Sequence, residues 1–314
     1  MPKLSIVVPT FNEEEGIQSF LAELKESLNS LEYELEIILV NDGSTDKTLD
    51  RVLEFNWDLV SIINLVKNSG HMSALEAGLR HSSGDLIVTL DSDLQHPPRT
   101  ILRMLKVHEQ TKCDVVLAIR ESGGETSRIR RFCSKYFYRA LSKLTEIKFE
   151  NDAGDFRLMT RRVVDTILEL PENQKIFRFL VSALGFRSEK ISYVAPHRQY
   201  GESKYNFKNL VQLAISSVIG FSTAPLTAIF FGGLVIFGIG MVYLFYVLLS
   251  YPNSESSQGW TSLMAVLVSL SSLQIIALGV IGRYLSQILT EIRNRPDFIV
   301  DNIQSVKKAS SSED

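Results

Sequence analysis

The sequence predicts an α/β domain built on a mostly parallel sheet, followed by a two-helix transmembrane hairpin. Three observations carry that expectation. Short apolar runs alternate with stretches of helical period through the N-terminal part of the chain, the pattern of βαβ units. The runs at 4–9, 35–40 and 86–90 each stop at a polar loop that contains a carboxylate. Beyond Ala224, two long segments carry no charged residue.

Leu4 to Pro9 reads as the first strand, ending in Thr10-Phe11-Asn12-Glu13. Ile17, Phe20, Leu21, Leu24 and Leu28 then recur at the spacing of one helix face. Leu35 to Val40 is a second strand that stops at Asn41-Asp42-Gly43-Ser44. Ser44 or Thr45 is a candidate cap for the next helix, where Asp46 suits the dipole. Ser61 to Val66 is a third strand, followed by Lys67-Asn68-Ser69-Gly70-His71. The helix after it carries Ala74, Ala77 and Gly78, small enough to approach a sheet closely. Leu86 to Leu90 and Asp114 to Ile119 complete the expected strands.

Asp91-Ser92-Asp93 lies where the fourth apolar run meets a loop with two prolines. In open α/β sheets, ligands bind at that carboxyl edge. Two hard oxygen donors one residue apart suit a divalent cation that keeps waters and shares phosphates. They equally suit a turn, or the start of a helix near Arg99. A second acidic cluster spans Asn151 to Met159 and contains Asp152 and Asp155. Arg198 and Lys204 flank Gly201 and Ser203 in a loop that can hold an anion or merely be solvated.

Arg128 to Thr145 forms a basic amphipathic pattern, with Arg130 and Arg131 off the apolar stripe. Such a helix either packs on a core or lies on an anionic membrane surface. Two transmembrane helices are expected at about 224–249 and 261–283, and their uncharged stretches, Ala224–Leu249 and Thr261–Ile281, are long enough to cross a bilayer. Their connecting loop holds Glu255 and no lysine or arginine, whereas Lys204, Lys208, Arg283, Arg293 and Arg295 flank them. The bias places both termini in the cytoplasm. The expected division is 1–204 for the α/β domain, 205–223 for a juxtamembrane helix, 224–285 for the hairpin and 286–314 for a tail. Beyond Asp301 that tail has the composition of a disordered segment. The net charge of −3 over 314 residues gives no support for nucleic-acid binding. Cys113 and Cys133 match no zinc spacing and fit free thiols in a reducing compartment. Lys3 runs directly into the first strand, so no signal peptide is expected.

Taken in order, Pro9-Thr10-Phe11-Asn12-Glu13, Asn41-Asp42-Gly43-Ser44, Asn68-Ser69-Gly70-His71, Asp91-Ser92-Asp93-Leu94-Gln95-His96-Pro97, Gly154-Asp155-Phe156-Arg157 and the loop from Arg198 to Tyr205 resemble a family-2 glycosyltransferase of the polyisoprenyl-phosphate branch. That branch includes dolichol-phosphate mannose synthases and bactoprenol glucosyltransferases. The Gln-x-x-Arg-Trp motif of processive polysaccharide synthases is absent from the sequence.

The resemblance implies a GT-A fold and inverting transfer from a nucleotide-diphosphate sugar, UDP-glucose ahead of GDP-mannose, to undecaprenyl or dolichyl phosphate. It implies a Mg²⁺ or Mn²⁺ ion on Asp91, Asp93 and Gln95, the DxD motif, with Asp93 and Asp155 catalytic. Pro9, Thr10, Asn12, Glu13, Asp42, Gly70, Asp91 and Ser92 map to the nucleotide. Arg120, Arg130, Arg131, Arg198, Ser203 and Lys204 map to phosphate and acceptor. A multi-pass protein of the cell membrane and a homo-oligomer, a tetramer by resemblance, are further expectations. Two rival readings are a flippase for the lipid-linked sugar and a non-catalytic nucleotide-sugar sensor. The uncharged spans offer the first no ionisable pathway, and the intact carboxylates speak against the second.

Overall fold

A computed structural model describes residues 1–121, 153–171, 175, 177–196, 224–250, 259–293 and 295–306. The expected basic helix with Arg130 and Arg131, the juxtamembrane segment, and Arg198, Ser203 and Lys204 lie outside these residues.

Among the described residues, eight strands form one sheet in the order β7-β5-β6-β4-β1-β2-β3-β8. The strands are β1 (Lys3–Thr10), β2 (Glu34–Asn41), β3 (Val60–Leu65), β4 (Leu86–Thr89), β5 (Val115–Arg120), β6 (Ala153–Thr160), β7 (Ser188–Tyr193) and β8 (Val300–Ser305). The helices of this part are α1 (Ile17–Leu28), α2 (Thr48–Phe55), α3 (His71–His81), α4 (Thr100–Thr111), α5 (Arg161–Glu169) and α6 (Phe177–Ala183). β1 pairs in parallel with β2 and β4, and β2 with β3, which is the expected parallel core. β6 enters between β4 and β5, antiparallel to both, and β7 runs parallel to β5. Most of the acidic cluster at 151–159 is therefore a strand, with Phe156 and Leu158 in the core.

Alternation along β1 divides the packing. Leu4, Ile6 and Val8 join Phe20, Leu21 and Leu24 of α1 and Ile101 and Met104 of α4 in one core. Val7 meets α3, and the helix can lie there because Gly78 has no side chain. A Cβ at Gly78 would stand 2.3 Å from Val7 Cγ1 and 3.0 Å from Val40 Cγ2. Gly78→Ala is expected to cost about 1–3 kcal/mol through overpacking. A fall of about 5 °C in a thermal melt would show it, and an unchanged melting temperature would contradict this close approach.

The start of α2 differs from the sequence expectation. Ser44 and Thr45 bond to Asn12 across the sheet edge instead of capping the helix. Asp46 Oδ1 accepts the Thr48 N–H at 3.0 Å and takes over that role.

The C-terminal segment differs more. Val300–Ser305, expected in the tail, pair antiparallel with β3 as strand β8. Val66 N–H donates to Ile299 O at 3.0 Å, and Val306 N–H donates to Val60 O at 3.1 Å, so both ends are tied. Val306 is 5 % exposed and belongs to the same core as Val60 and Trp57.

The chain divides into two compact units, and residues 295–306 belong to the unit that holds the sheet. The other contains α7 (Ala224–Ser250) and α8 (Trp260–Arg293). Leu273–Thr290 of α8 is long and apolar enough to cross a membrane, and α7 contributes the shorter apolar stretch Leu226–Val242. Phe230, Phe237, Phe245, Leu263, Ile275 and Ile292 all stand exposed on these helices.

Candidate active site

The parallel strands β1, β2, β4 and β5 end on one edge of the sheet, and antiparallel β6 begins there. That topology gathers Asn12, Asp42, Asp91, Arg120 and Asp155 from positions scattered along the sequence.

The loops after β1 and β2 are stitched together. Asn12, at φ 54°, donates its N–H to Ser44 Oγ at 3.1 Å and accepts the Thr45 N–H at Oδ1 at 2.9 Å. Glu13 N–H donates to Thr48 Oγ1 at 2.8 Å, while its carbonyl accepts the Ile17 amide at 3.0 Å and so starts α1. Thr10 O accepts the Asp42 amide at 2.9 Å. The Asp42 carboxylate is 3 % exposed and accepts Ser69 N–H at 2.7 Å and Gly70 N–H at 3.0 Å. Burial raises its pKa above the ordinary aspartate value, against the opposing pull of those two amides and of His71. The approach of 67–70 requires glycine at 43. Its φ is 67°, and a Cβ would lie 2.7 Å from Asn68 N.

Asp91-Ser92-Asp93 follows β4. The first amides of α4 donate to Pro97 O and Pro98 O, each at 2.9 Å, so the carboxylates do not cap that helix. Asp93 Oδ1 accepts the Gln95 N–H at 3.0 Å across a tight turn whose apex, Leu94, has φ 60°. A branched residue in the left-handed region costs on the order of 1–3 kcal/mol, a strain that clusters at functional sites. Gln95 Oε1 accepts from Arg120 Nη1 at 3.2 Å. Ser92 is buried and its hydroxyl donates to Pro9 O at 3.4 Å, so Pro9 and Ser92 brace the loop against β1. Asp91 N–H donates to His96 Nδ1 at 3.0 Å. That nitrogen is then an acceptor, and its 3.7 Å approach to Asp91 Oδ2 is no ion pair.

Asp155 sits across from this loop because β6 pairs with β4 in a register that sets Arg157 opposite Thr89. Asp155 is 7 % exposed; its Oδ1 accepts from Arg157 Nη2 at 3.1 Å, and His71 Nε2 stands 3.3 Å from Oδ2. The same His71 nitrogen lies 3.6 Å from Asp91 Oδ1. His71, Arg157 and the aromatic floor of His96, Phe156 and Tyr193 are thus part of the site. The sequence assigns none of these a site role, although His71, His96, Phe156 and Arg157 lie inside the motifs that carry the resemblance. Helical or strand period does not single them out: a lone histidine starts α3, and Arg157 interrupts the apolar pattern of β6. Burial pushes the Tyr193 hydroxyl pKa up to about 12, with Arg120 opposing and Asp91 and Asp93 adding to the shift.

The residues fit a hard divalent cation. Asp91 Oδ1 is buried without a hydrogen-bond partner, and Asp93 and Gln95 add oxygen donors on the same turn. Among the described residues no cluster of three or more His, Cys, Asp or Glu side chains forms a metal cage. Two carboxylates and an amide leave most coordination positions to water and ligand phosphates, the arrangement Mg²⁺ and Mn²⁺ favour.

Residues 5–168 match the Glycosyl transferase family 2 profile. Among curated relatives, an uncharacterised glycosyltransferase of Bacillus subtilis, YkcC, is 35 % identical over 306 residues, covering 96 % of this chain and 94 % of its own. The SfII prophage-derived bactoprenol glucosyl transferase of Shigella flexneri is 35 % identical over 301 residues, covering 95 % and 97 %. Among solved structures, glucosyl-3-phosphoglycerate synthase from Mycobacterium tuberculosis, in complex with Mn²⁺, uridine diphosphate and phosphoglyceric acid, aligns with TM-score 0.51 and 17 % identity over 69 % of this chain and 76 % of that one. That likeness concerns the fold, a GT-A-like α/β sheet. With a matching profile over more than half the chain and relatives aligned almost end to end, the protein belongs to glycosyl transferase family 2 and is a glycosyltransferase.

Proposed function

We propose that the protein transfers a hexose from a nucleotide-diphosphate sugar, UDP-glucose ahead of GDP-mannose, to a polyprenyl phosphate at the cytoplasmic face of the membrane. The observation that carries this reading is the gathering of Asp42, Asp91, Asp93, Gln95, Arg120 and Asp155 on one sheet edge. The end-to-end relatives named bactoprenol glucosyl transferase support the lipid acceptor.

Asp42, with Pro9, Thr10, Asn12, Glu13, Gly70 and Ser92 shaping its surroundings, would bind the nucleoside. A buried carboxylate can accept from a ring N–H of uracil or of guanine. Asp91, Asp93 and Gln95 would hold Mg²⁺ or Mn²⁺, which neutralises the charge that develops on the departing diphosphate. Arg120, held beside Gln95, adds a fixed positive charge at the same place. In the transfer, an acceptor phosphate oxygen attacks the anomeric carbon from the face opposite the leaving group. The bond to the β-phosphate oxygen breaks, and the nucleoside diphosphate leaves with the electron pair. The acceptor's second pKa is about 6, so its dianion exists at neutral pH without a base. Asp155, engaged by Arg157 and His71, then orients a reactant.

A tail-anchored acceptor needs its enzyme at the bilayer. The exposed apolar side chains of α7 and α8 are suited to lipid. At 1.5 Å per residue, each helix is about 40 Å or longer, enough to cross the hydrocarbon core. Two crossings are part of this proposal, since the chain leaves the sheet-containing unit before α7 and returns to it after α8.

Thermal shift of the full-length protein in detergent with Mg²⁺ tests the donor. UDP-glucose at a hundredfold excess over Kd should stabilise by about 2.7 kcal/mol. Stabilisation by GDP-mannose alone would reassign the base, and none with either would sink the donor assignment. Transfer of labelled glucose to undecaprenyl phosphate in proteoliposomes tests the acceptor.

A further inference from the structure

A ladder of asparagine amides crosses the last three strands of the sheet. Asn41 Nδ2 on β2 donates to Asn64 Oδ1 on β3 at 2.9 Å. Asn64 Nδ2 donates to Asn302 Oδ1 on β8 at 2.8 Å. Asn302 Nδ2 in turn donates to Asp301 Oδ2 at 2.8 Å. At the other end, Asn41 Oδ1 accepts the Ser44 N–H at 3.0 Å, and Ser44 Oγ accepts the amide of Asn12. Asn41 and Asn64 are 7 % and 6 % exposed.

We infer that Asn302 is a positioning residue for nucleotide binding, acting through Asn64 and Asn41 on the loop that carries Asp42. The inference rests on the nucleoside-pocket reading of Asp42. A carboxamide has two nearly isosteric ends, one donating and one accepting. Turning the Asn64 amide over would set two NH₂ groups against each other at Asn41. Asp301, which only accepts, favours this direction for Asn302 through a solvent-exposed contact; Asn302 then sets Asn64, and Asn64 sets Asn41 where the pair is buried. With Asn41 held, its Oδ1 takes the Ser44 amide, and Asp42 is clamped between that contact and the Thr10 carbonyl. Hydrogen bonds aligned in series polarise and strengthen one another. The strand that closes the ladder, β8, also completes the sheet edge beside the loop 66–70, whose amides Asp42 receives.

The test uses full-length protein and UDP as probe, with Mg²⁺, by calorimetry, together with donor kinetics. Asn302→Leu removes the acceptor. It should raise Kd for UDP and KM for the donor about fivefold, the value of one net hydrogen bond, with kcat within twofold. Asn302→Asp keeps the acceptor and should retain near-native affinity. Asp42→Ala is the reference for the pocket itself. If Asp42→Ala weakens UDP binding and Asn302→Leu does not, the ladder has no positioning role. If Asn302→Asp falls as far as Asn302→Leu, the effect is loss of the strand and the polarity argument is overturned. If Asp42→Ala binds UDP normally, the nucleoside reading fails, and this inference with it.

Discussion

Asp93→Asn is expected to lower kcat by about 10²–10³-fold, the usual loss when one charge-stabilising group is removed from a polar transition state. The substitution is chosen because the asparagine Oδ1 still accepts the Gln95 N–H that closes the turn. The strained conformation at Leu94 then persists, and the melting temperature should stay within about 2 °C of the native value. What the change removes is negative charge. The variant should need more Mn²⁺ or Mg²⁺ for half-maximal rate, and chelation of the native enzyme should abolish transfer until the ion is restored. A variant with near-native kcat and an unaltered metal titration would remove Asp93 from the diphosphate site.

Asp155→Asn is expected to reduce transfer by a similar factor, about 10²-fold or more, and equally at pH 6 and pH 8.5. An acceptor that is already an anion needs no proton taken from it, so the loss should not depend on pH. Steep loss at pH 6 with recovery at pH 8.5 would instead implicate ionisation of the acceptor or of another group. Full activity would take Asp155 out of the site. Arg157 is 1 % exposed, and removing the charge beside it leaves a buried guanidinium less well compensated. Some loss of thermal stability is therefore expected, and rates should be compared well below the transition.

The parts of the fold that were legible in the sequence are those governed by local period. Ile17, Phe20, Leu21, Leu24 and Leu28 recur at helical spacing and are the buried face of α1. Asp42, Asp91 and Asp93 were legible as site candidates because a parallel strand delivers the residue that follows it to the carboxyl edge. β6 was not legible, since a fully buried arginine at its centre breaks the apolar run and nothing local announces an antiparallel insertion. β8 was not legible either. Val300 and Ile303 do not alternate, and the strand is held by pairing to a partner far away in sequence. His71 joins Asp91 to Asp155 only in three dimensions. The caps suggested at Ser44 and Thr45 failed because Asn12, on another loop, competes for them.

The pairing of Asn64 with Asn302 spans 238 residues, and that interval has a meaning in time. Translation at roughly 5–20 residues per second leaves β3 without its outer neighbour for on the order of 10–50 s. During that wait the ribosome makes α7 and α8. The unfinished sheet therefore offers open backbone groups at β3 to any passing strand, a hazard for aggregation. The last strand can arrive only after both helices have been synthesised. On the proposed role of Asn302, the nucleotide pocket would mature only after both apolar helices have left the ribosome.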